Sequence, residues 1–169
     1  MLKKFLKDDS GIASVEFAFL APVFFMFIFA FFETGWVMTK AVMLENSVAN
    51  VSRLIYTGKA PTKLALEEQI CEANPLITNC VSNINVEMQV IQNMGDTPDT
   101  DMQCRDEADE AFNPAVNYNS GQGAEIIFLR VCLKTDILVP GLGFGLALDE
   151  DGDGRYEIRS STAFMNEPF

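Results

Sequence analysis

The chain has no histidine at all. That absence removes Ser-His and Cys-His nucleophile pairs and the commonest zinc ligand. It also lacks a Walker loop, a GxGxxG turn and a GxSxG elbow, the motifs that cradle phosphates or expose a nucleophile. With no catalytic constellation left, the sequence reads as that of a non-enzyme. Basic residues are scarce: 12 Lys and Arg stand against 24 Asp and Glu, for a net charge of −12 over 169 residues. So acidic a chain lacks the clustered cations that neutralise phosphates, which argues against a nucleic-acid partner. It suits solubility, cation binding or a basic partner surface. No internal repeat or low-complexity tract is present;.

What the chain does have is one concentrated apolar tract. From Ile12 to Phe32 it carries a single charge, Glu16, and a single helix-breaker, Pro22. As a helix the tract spans roughly 30 Å, the hydrocarbon thickness of a bilayer. The leader before it, Met1 to Gly11, holds Lys3, Lys4 and Lys7 against Asp8 and Asp9. Those lysines are expected to stay in the cytoplasm, which places the C-terminal part outside. A secretory signal peptide fits poorly, because the run is too long, contains Glu16, and ends in Glu33-Thr34-Gly35-Trp36 rather than at small residues;. A plain membrane anchor is the stronger rival. Pro22 predicts a kink near mid-span. Eight Phe residues between Phe17 and Phe32 read as lipid-facing bulk, and Trp36 sits where an interfacial aromatic belongs;.

Helical spacing continues past Trp36 through Met43, Leu44, Val48, Val51, Leu54 and Ile55, with Asn46, Ser47, Asn50 and Arg53 mostly off that face;. Gly35 costs about 1 kcal/mol within a helix without ending it, whereas Gly58 and Pro61 supply a stop;. One helix is predicted from about Ser14 to Thr57, transmembrane to about Trp36 and extracytoplasmic beyond. Thr62 reads as the N-cap of a short helix bearing Leu66, Ile70 and Cys71, ended by Asn74-Pro75;. Ile84, Val86, Met88 and Val90 alternate with polar residues as a strand;. A second strand runs from about Glu125 to Thr135, with Ile127, Leu129, Val131 and Leu133 on one face, and a third from about Arg155 to Met165;. Residues 93–124 read as a long acidic loop with one helical turn around Asp106–Phe112, most simply a solvated face, and Pro140–Leu146 as an apolar, flexible connector;. The fold class is α+β, a long N-terminal transmembrane helix packed on a small antiparallel sheet of three or four strands. Three regions follow: a leader at 1–11, the long helix at 12–57 and an extracytoplasmic domain at 58–169.

Cys71, Cys80, Cys104 and Cys132 all follow the apolar tract. Outside the cytoplasm, four cysteines suggest two disulfides with three connectivities. The local pair Cys71–Cys80 is preferred, leaving Cys104 with Cys132; free buried thiols remain the alternative. Asp149-Glu150-Asp151-Gly152-Asp153-Gly154 matches the first half of a calcium loop, with Arg155 offering a carbonyl and Glu157 a carboxylate;. The twelfth-position Glu is replaced by Ser160, so calcium affinity would fall near the ~10⁻⁴–10⁻³ M of extracellular modules. The plainer reading is a solvated acidic turn. No cofactor is required on either view.

Glu16 needs a reason, since a charge in mid-membrane costs ~2.5–3.5 kcal/mol on insertion scales. Cleavage after Gly11 would free the α-amine of Ile12 and leave Glu16 at position five of the new chain. In a membrane assembly, that carboxylate and a neighbouring subunit's amine offset each other's desolvation. Otherwise Gly11 is incidental to a basic-flanked anchor, and Glu16 rests among headgroups.

The stretch Gly11-Ile12-Ala13-Ser14-Val15-Glu16-Phe17, the Phe-rich span with Pro22, Glu33-Thr34-Gly35, and the closing Thr162-Ala163-Phe164-Met165-Asn166-Glu167-Pro168 resemble the TadE-like family, minor pilins or pseudopilins of the tight-adherence (Flp-type) pilus. The resemblance covers about residues 5–57 and the tail; residues 58–155 match no named pattern. It implies processing by a prepilin peptidase at Gly11 and Ile12, and assembly through Glu16, Phe17 and Pro22 with other pilins and the pilus machinery. Phe after the Glu is the pseudopilin pattern, where the major Flp pilin has Tyr, and the long C-terminal domain likewise departs from that very short subunit. The implied location is the bacterial inner membrane in contact with lipid, N-terminus cytoplasmic and domain periplasmic, or the extracellular pilus after assembly. The competing function is an uncleaved single-span protein with an extracytoplasmic, calcium-responsive binding domain.

Overall fold

A computed structural model describes residues 11–59, 61–93, 95, 102, 104–105, 117–141, 143–148 and 153–168. The leader at 1–10, the acidic loop at 96–101 and 106–110, the expected helical turn at 106–112, and Asp149 and Asp151 lie outside them. The described elements run α1 (Ile12–Tyr56), α2 (Lys63–Glu72), α3 (Cys80–Asn83), β1 (Ile84–Ile91), β2 (Ile126–Asp136), α4 (Phe144–Leu148) and β3 (Arg155–Met165).

Helix α1 runs unbroken through Pro22 for 45 residues. Between Ile12 and Phe32 none of its residues is buried, and by length and composition this part is apolar enough to cross a membrane. Its second half is the core helix of the domain, burying Leu44, Val48, Val51 and Ile55. At the far end the Gly58 N–H bonds to the Ile55 carbonyl and the Lys59 N–H to the Leu54 carbonyl, with Gly58 at φ +79°. This paired closure is a Schellman motif, which needs a residue free to take the left-handed conformation. Ser47, expected off the apolar face, is buried there. Its hydroxyl donates to the Met43 carbonyl and accepts from Asn74 Nδ2 at 2.7 Å, so the buried polar atom is satisfied.

Helix α2 begins where expected: the Thr62 hydroxyl accepts the Ala65 N–H at 3.3 Å, satisfying one of the otherwise orphaned first-turn donors. It sends Leu66 and Ile70 into the core. The three strands form one antiparallel sheet in the order β1-β2-β3. Register aligns Ile84 with Leu133, Val86 with Val131 and Met88 with Leu129, and on the other side Leu133 with Ile158. Because side chains alternate, this places the apolar set of β1 and β2 on one face, under α1 and α2;. Each of these fully buried aliphatic side chains contributes about 1.5–3 kcal/mol. The opposite face carries the Glu87–Arg130 ion pair at 2.6 Å and a small cluster of Met102, Cys104 and Cys132. Along the edge of β1, Asn117 and Asn119 exchange backbone hydrogen bonds with Met88, covering part of an edge that would otherwise be open to pairing.

The connector between β2 and β3 differs from its sequence reading. It folds back on itself and contains α4. A Cβ on Gly145 would collide with the Val139 carbonyl, so the glycine there permits a close backbone approach rather than looseness. Disulfides join Cys71 to Cys80 and Cys104 to Cys132. Their sequence separations are 9 and 28. On chain entropy alone, removing the second bridge (both cysteines to Ala) should therefore destabilise the domain by about 1 kcal/mol more than removing the first. Urea unfolding of the two double variants measures the difference.

Candidate functional site

Gly11 stands at the N-cap of α1 with φ −91° and no side-chain cap, and an added Cβ there would meet nothing within 4 Å. Ile12 and Phe17 are exposed at 55% and 69%. Glu16 is likewise exposed, and among the described residues it has no ion-pair partner. Pro22 lies on the same uncovered stretch. The structure thus places Gly11, Ile12, Glu16, Phe17 and Pro22 on one free helical projection that the domain leaves open. Neighbouring Phe rings touch along it, Phe24 edge-on to Phe25 at 5.8 Å between centroids.

Three turns of helix further on, sequence reasoning missed a junction. Glu33 is buried, and its two carboxylate oxygens accept the backbone N–H groups of Leu138 at 3.0 Å and Val139 at 2.9 Å. Seven residues later, on the same face, buried Lys40 donates to Thr135 Oγ1 at 2.9 Å and to the Asp136 carbonyl at 3.0 Å. Its ammonium also lies 5.5 Å from the ring centroids of both Trp36 and Tyr156, within the range of cation–π attraction. Together Glu33 and Lys40 fix α1 to the end of β2 and the turn after it. The missed signal was periodic: Glu33, Val37, Lys40, Ala41 and Leu44 continue the buried stripe upstream, but charged residues do not register in an apolar pattern.

The closing tail forms a second tie. The Glu167 N–H donates to the Tyr56 carbonyl, and Asn166, itself buried, donates from Nδ2 to the carbonyls of Ser120 and Gln122. The end of β3 is therefore fastened to the end of α1. In the described part of the acidic turn, Asp153 Oδ2 lies 2.7 Å from Lys134 Nζ and Oδ1 accepts the Arg155 N–H. Burial alone would raise the Asp153 carboxyl, but these contacts and the Arg155 charge hold it below the usual carboxylate range. Glu157 pairs with Arg159 at 2.7 Å. A divalent ion at this turn would have to displace Lys134 from Asp153 and Arg159 from Glu157. The Cys104 and Cys132 sulfurs lie close to Glu157, but bonded to each other they are not thiolate ligands;.

Burial pushes the Lys40 ammonium below its ordinary 10.5, against the opposing pull of Asp136 and Glu33. The folded value then lies below the unfolded one, so in the window between them the unfolded chain binds more protons and stability rises with pH. Lys40→Met keeps the stem and removes the titration. The unfolding free energy of the wild type minus that of the variant should therefore climb as pH approaches 10.5 from below, and level off above it. Denaturant titrations across the alkaline range test the sign, and a difference that falls with pH would contradict it.

Neither curated proteins nor solved structures give a match to the chain. A family model described as TadE-like protein matches residues 11–53. That span runs from the N-cap glycine through the exposed helix and the Glu33–Lys40 junction to the last turn of α1. The tail and the sheet lie beyond it. The chain therefore carries a segment similar to the TadE-like family over residues 11–53, about a quarter of its 169 residues.

Proposed function

We propose that the protein is a minor pilin or pseudopilin of a tight-adherence pilus, made as a precursor, cut after Gly11 by a prepilin peptidase, and assembled through α1. One observation carries this reading: the residues at the head of the family-matched segment, Gly11 to Phe17, sit on a helical projection that its own domain does not cover. A scissile bond there is reachable, and Glu16 is available to a neighbour.

Before assembly, the apolar half of α1 crosses the inner membrane, with the N-terminus cytoplasmic and the domain periplasmic. The two disulfides suit that oxidising compartment;. Cleavage creates the α-amine of Ile12. In the assembled state Glu16 of one subunit pairs with that amine on the next, so that neither charge is left alone in an apolar bundle. Phe17 and the rings after it supply the packing surface, and Pro22 removes one backbone donor within it. The partners are other pilins, the peptidase and the assembly machinery. No catalytic role is assigned.

Intact-mass measurement in peptidase-competent cells should find a mature chain beginning at Ile12, and Gly11→Ala should retain the leader. Glu16→Ala should still be membrane-inserted and cleaved yet fail to enter the pilus. A retained leader in the wild type, or normal piliation by Glu16→Ala, would contradict the reading.

A further inference from the structure

Between Asp136 and Asp149 the sequence holds twelve residues, Ile137 to Leu148, without one charged or hydrogen-bonding side chain. They follow the strand that leads back to α1, and the structure lays Gly143 beside the apolar half of that helix and brings α4 against α1. The carbonyl of Met26 is the nearest atom to a Cβ built on Gly143, at 3.9 Å. Met26 precedes the interfacial Trp36 by ten residues, which is roughly 15 Å along a helix axis. Leu138 and Val139 enter this region at the level of Glu33. Leu138, Phe144 and Leu146 point outward, 50%, 38% and 65% exposed.

We propose that Leu138–Gly141 and Gly143–Ala147 form a second lipid-embedded element, an apolar loop inserted into the outer leaflet alongside the span. The proposal rests on reading α1 as membrane-spanning. Lipid is the occupant that the placement favours, because the loop approaches the span at Met26, carries no charge between Asp136 and Asp149, and exposes the apolar side chains of Leu138, Phe144 and Leu146. An acidic residue at each end, Asp136 and Asp149, sets the limits of the insertion. Irregular backbone in hydrocarbon is tolerated only where its polar groups find partners within the protein. Glu33 provides this for the first two amides of the loop, and short helix α4 provides it for part of the rest. That explains why an acidic side chain is kept three residues inside Trp36: its charge is spent on two backbone donors rather than on water.

Trp36 is the only tryptophan, so depth can be read optically. The full chain, with Trp36→Phe and Phe144→Trp, is reconstituted in phosphatidylglycerol–phosphatidylcholine vesicles containing acyl-brominated lipid. A parallel protein carries Trp36→Phe with Phe24→Trp as a span reporter, and mass under non-reducing conditions checks that both disulfides are intact. Tryptophan at 144 should lose as much emission to the brominated lipid as the reporter at 24, and should resist aqueous iodide. Quenching by iodide but not by bromolipid at 144, with the reporter at 24 still quenched by lipid, overturns the inserted loop alone. Loss of lipid quenching at both positions overturns the span and the loop with it. Shielding of 144 from both quenchers means that protein, such as a second copy of the chain, covers the loop, and also overturns the proposal. If Phe144→Trp does not fold, Leu146→Trp in the same background reads the same question from the most exposed side chain of the loop.

Discussion

The Glu33 carboxylate holds two backbone N–H groups of the turn after β2 at 2.9–3.0 Å, and the remaining architecture depends on that contact. A single helix of 45 residues must serve two surroundings: its first half is exposed and apolar, its second half is the centre of a folded domain. Nothing in helix geometry marks where one ends and the other begins. The mark is chemical. A charge-assisted bond from carboxylate to amide is stronger than a neutral one, and losing the acceptor would leave two donors unsatisfied. Lys40, two turns on, repeats the device with opposite sign by donating to Thr135 and to the Asp136 carbonyl. Between them the two side chains set the angle at which the domain leaves the helix, and so which face of the projection remains free.

The domain below that junction is built so that this angle can persist. Its core is one cluster shared by α1, α2 and all three strands. Central strand β2 contributes four wholly buried residues at alternate positions, Ile127, Leu129, Val131 and Leu133. At the far end, Asn166 and Glu167 tie the end of β3 to the end of α1 and to the turn at Ser120–Gln122. The helix is therefore gripped at Glu33–Lys40 and again at Tyr56, with hydrophobic packing between. A pull on the projection would be carried to the sheet along the whole of that length.

Much of this was legible in the sequence because it is periodic. Period-two alternation located β1 and β2 to within a residue or so, β3 spans the expected residues, and helical spacing carried α1 past the apolar tract to its Gly58 stop. Sequence proximity favoured the disulfide pairs that are seen. Two of the misses share a physical cause, a contact between segments distant in sequence, and the third is a backbone approach that glycine content alone does not reveal. Glu33 looks like the boundary of an apolar run until Leu138 and Val139 are brought to it from more than a hundred residues away. Ser47 looks like a surface residue until Asn74 meets it. Gly141, Gly143 and Gly145 suggest slack, whereas the chain uses the positive φ of the first two to turn and the third to let its backbone close on Val139. Turn composition says that the chain bends but not what it bends against.

The junction between helix and domain depends on Glu33 bonding those two amides in the protein as it functions. Site-resolved hydrogen exchange of the full chain in lipid, compared between wild type and Glu33→Ala, tests this directly. The amides of Leu138 and Val139 should exchange as slowly as those of β2 in the wild type, and much faster in the variant while the β2 amides keep their protection. Fast exchange at both positions in the wild type, or slow exchange unchanged by the substitution, would contradict it.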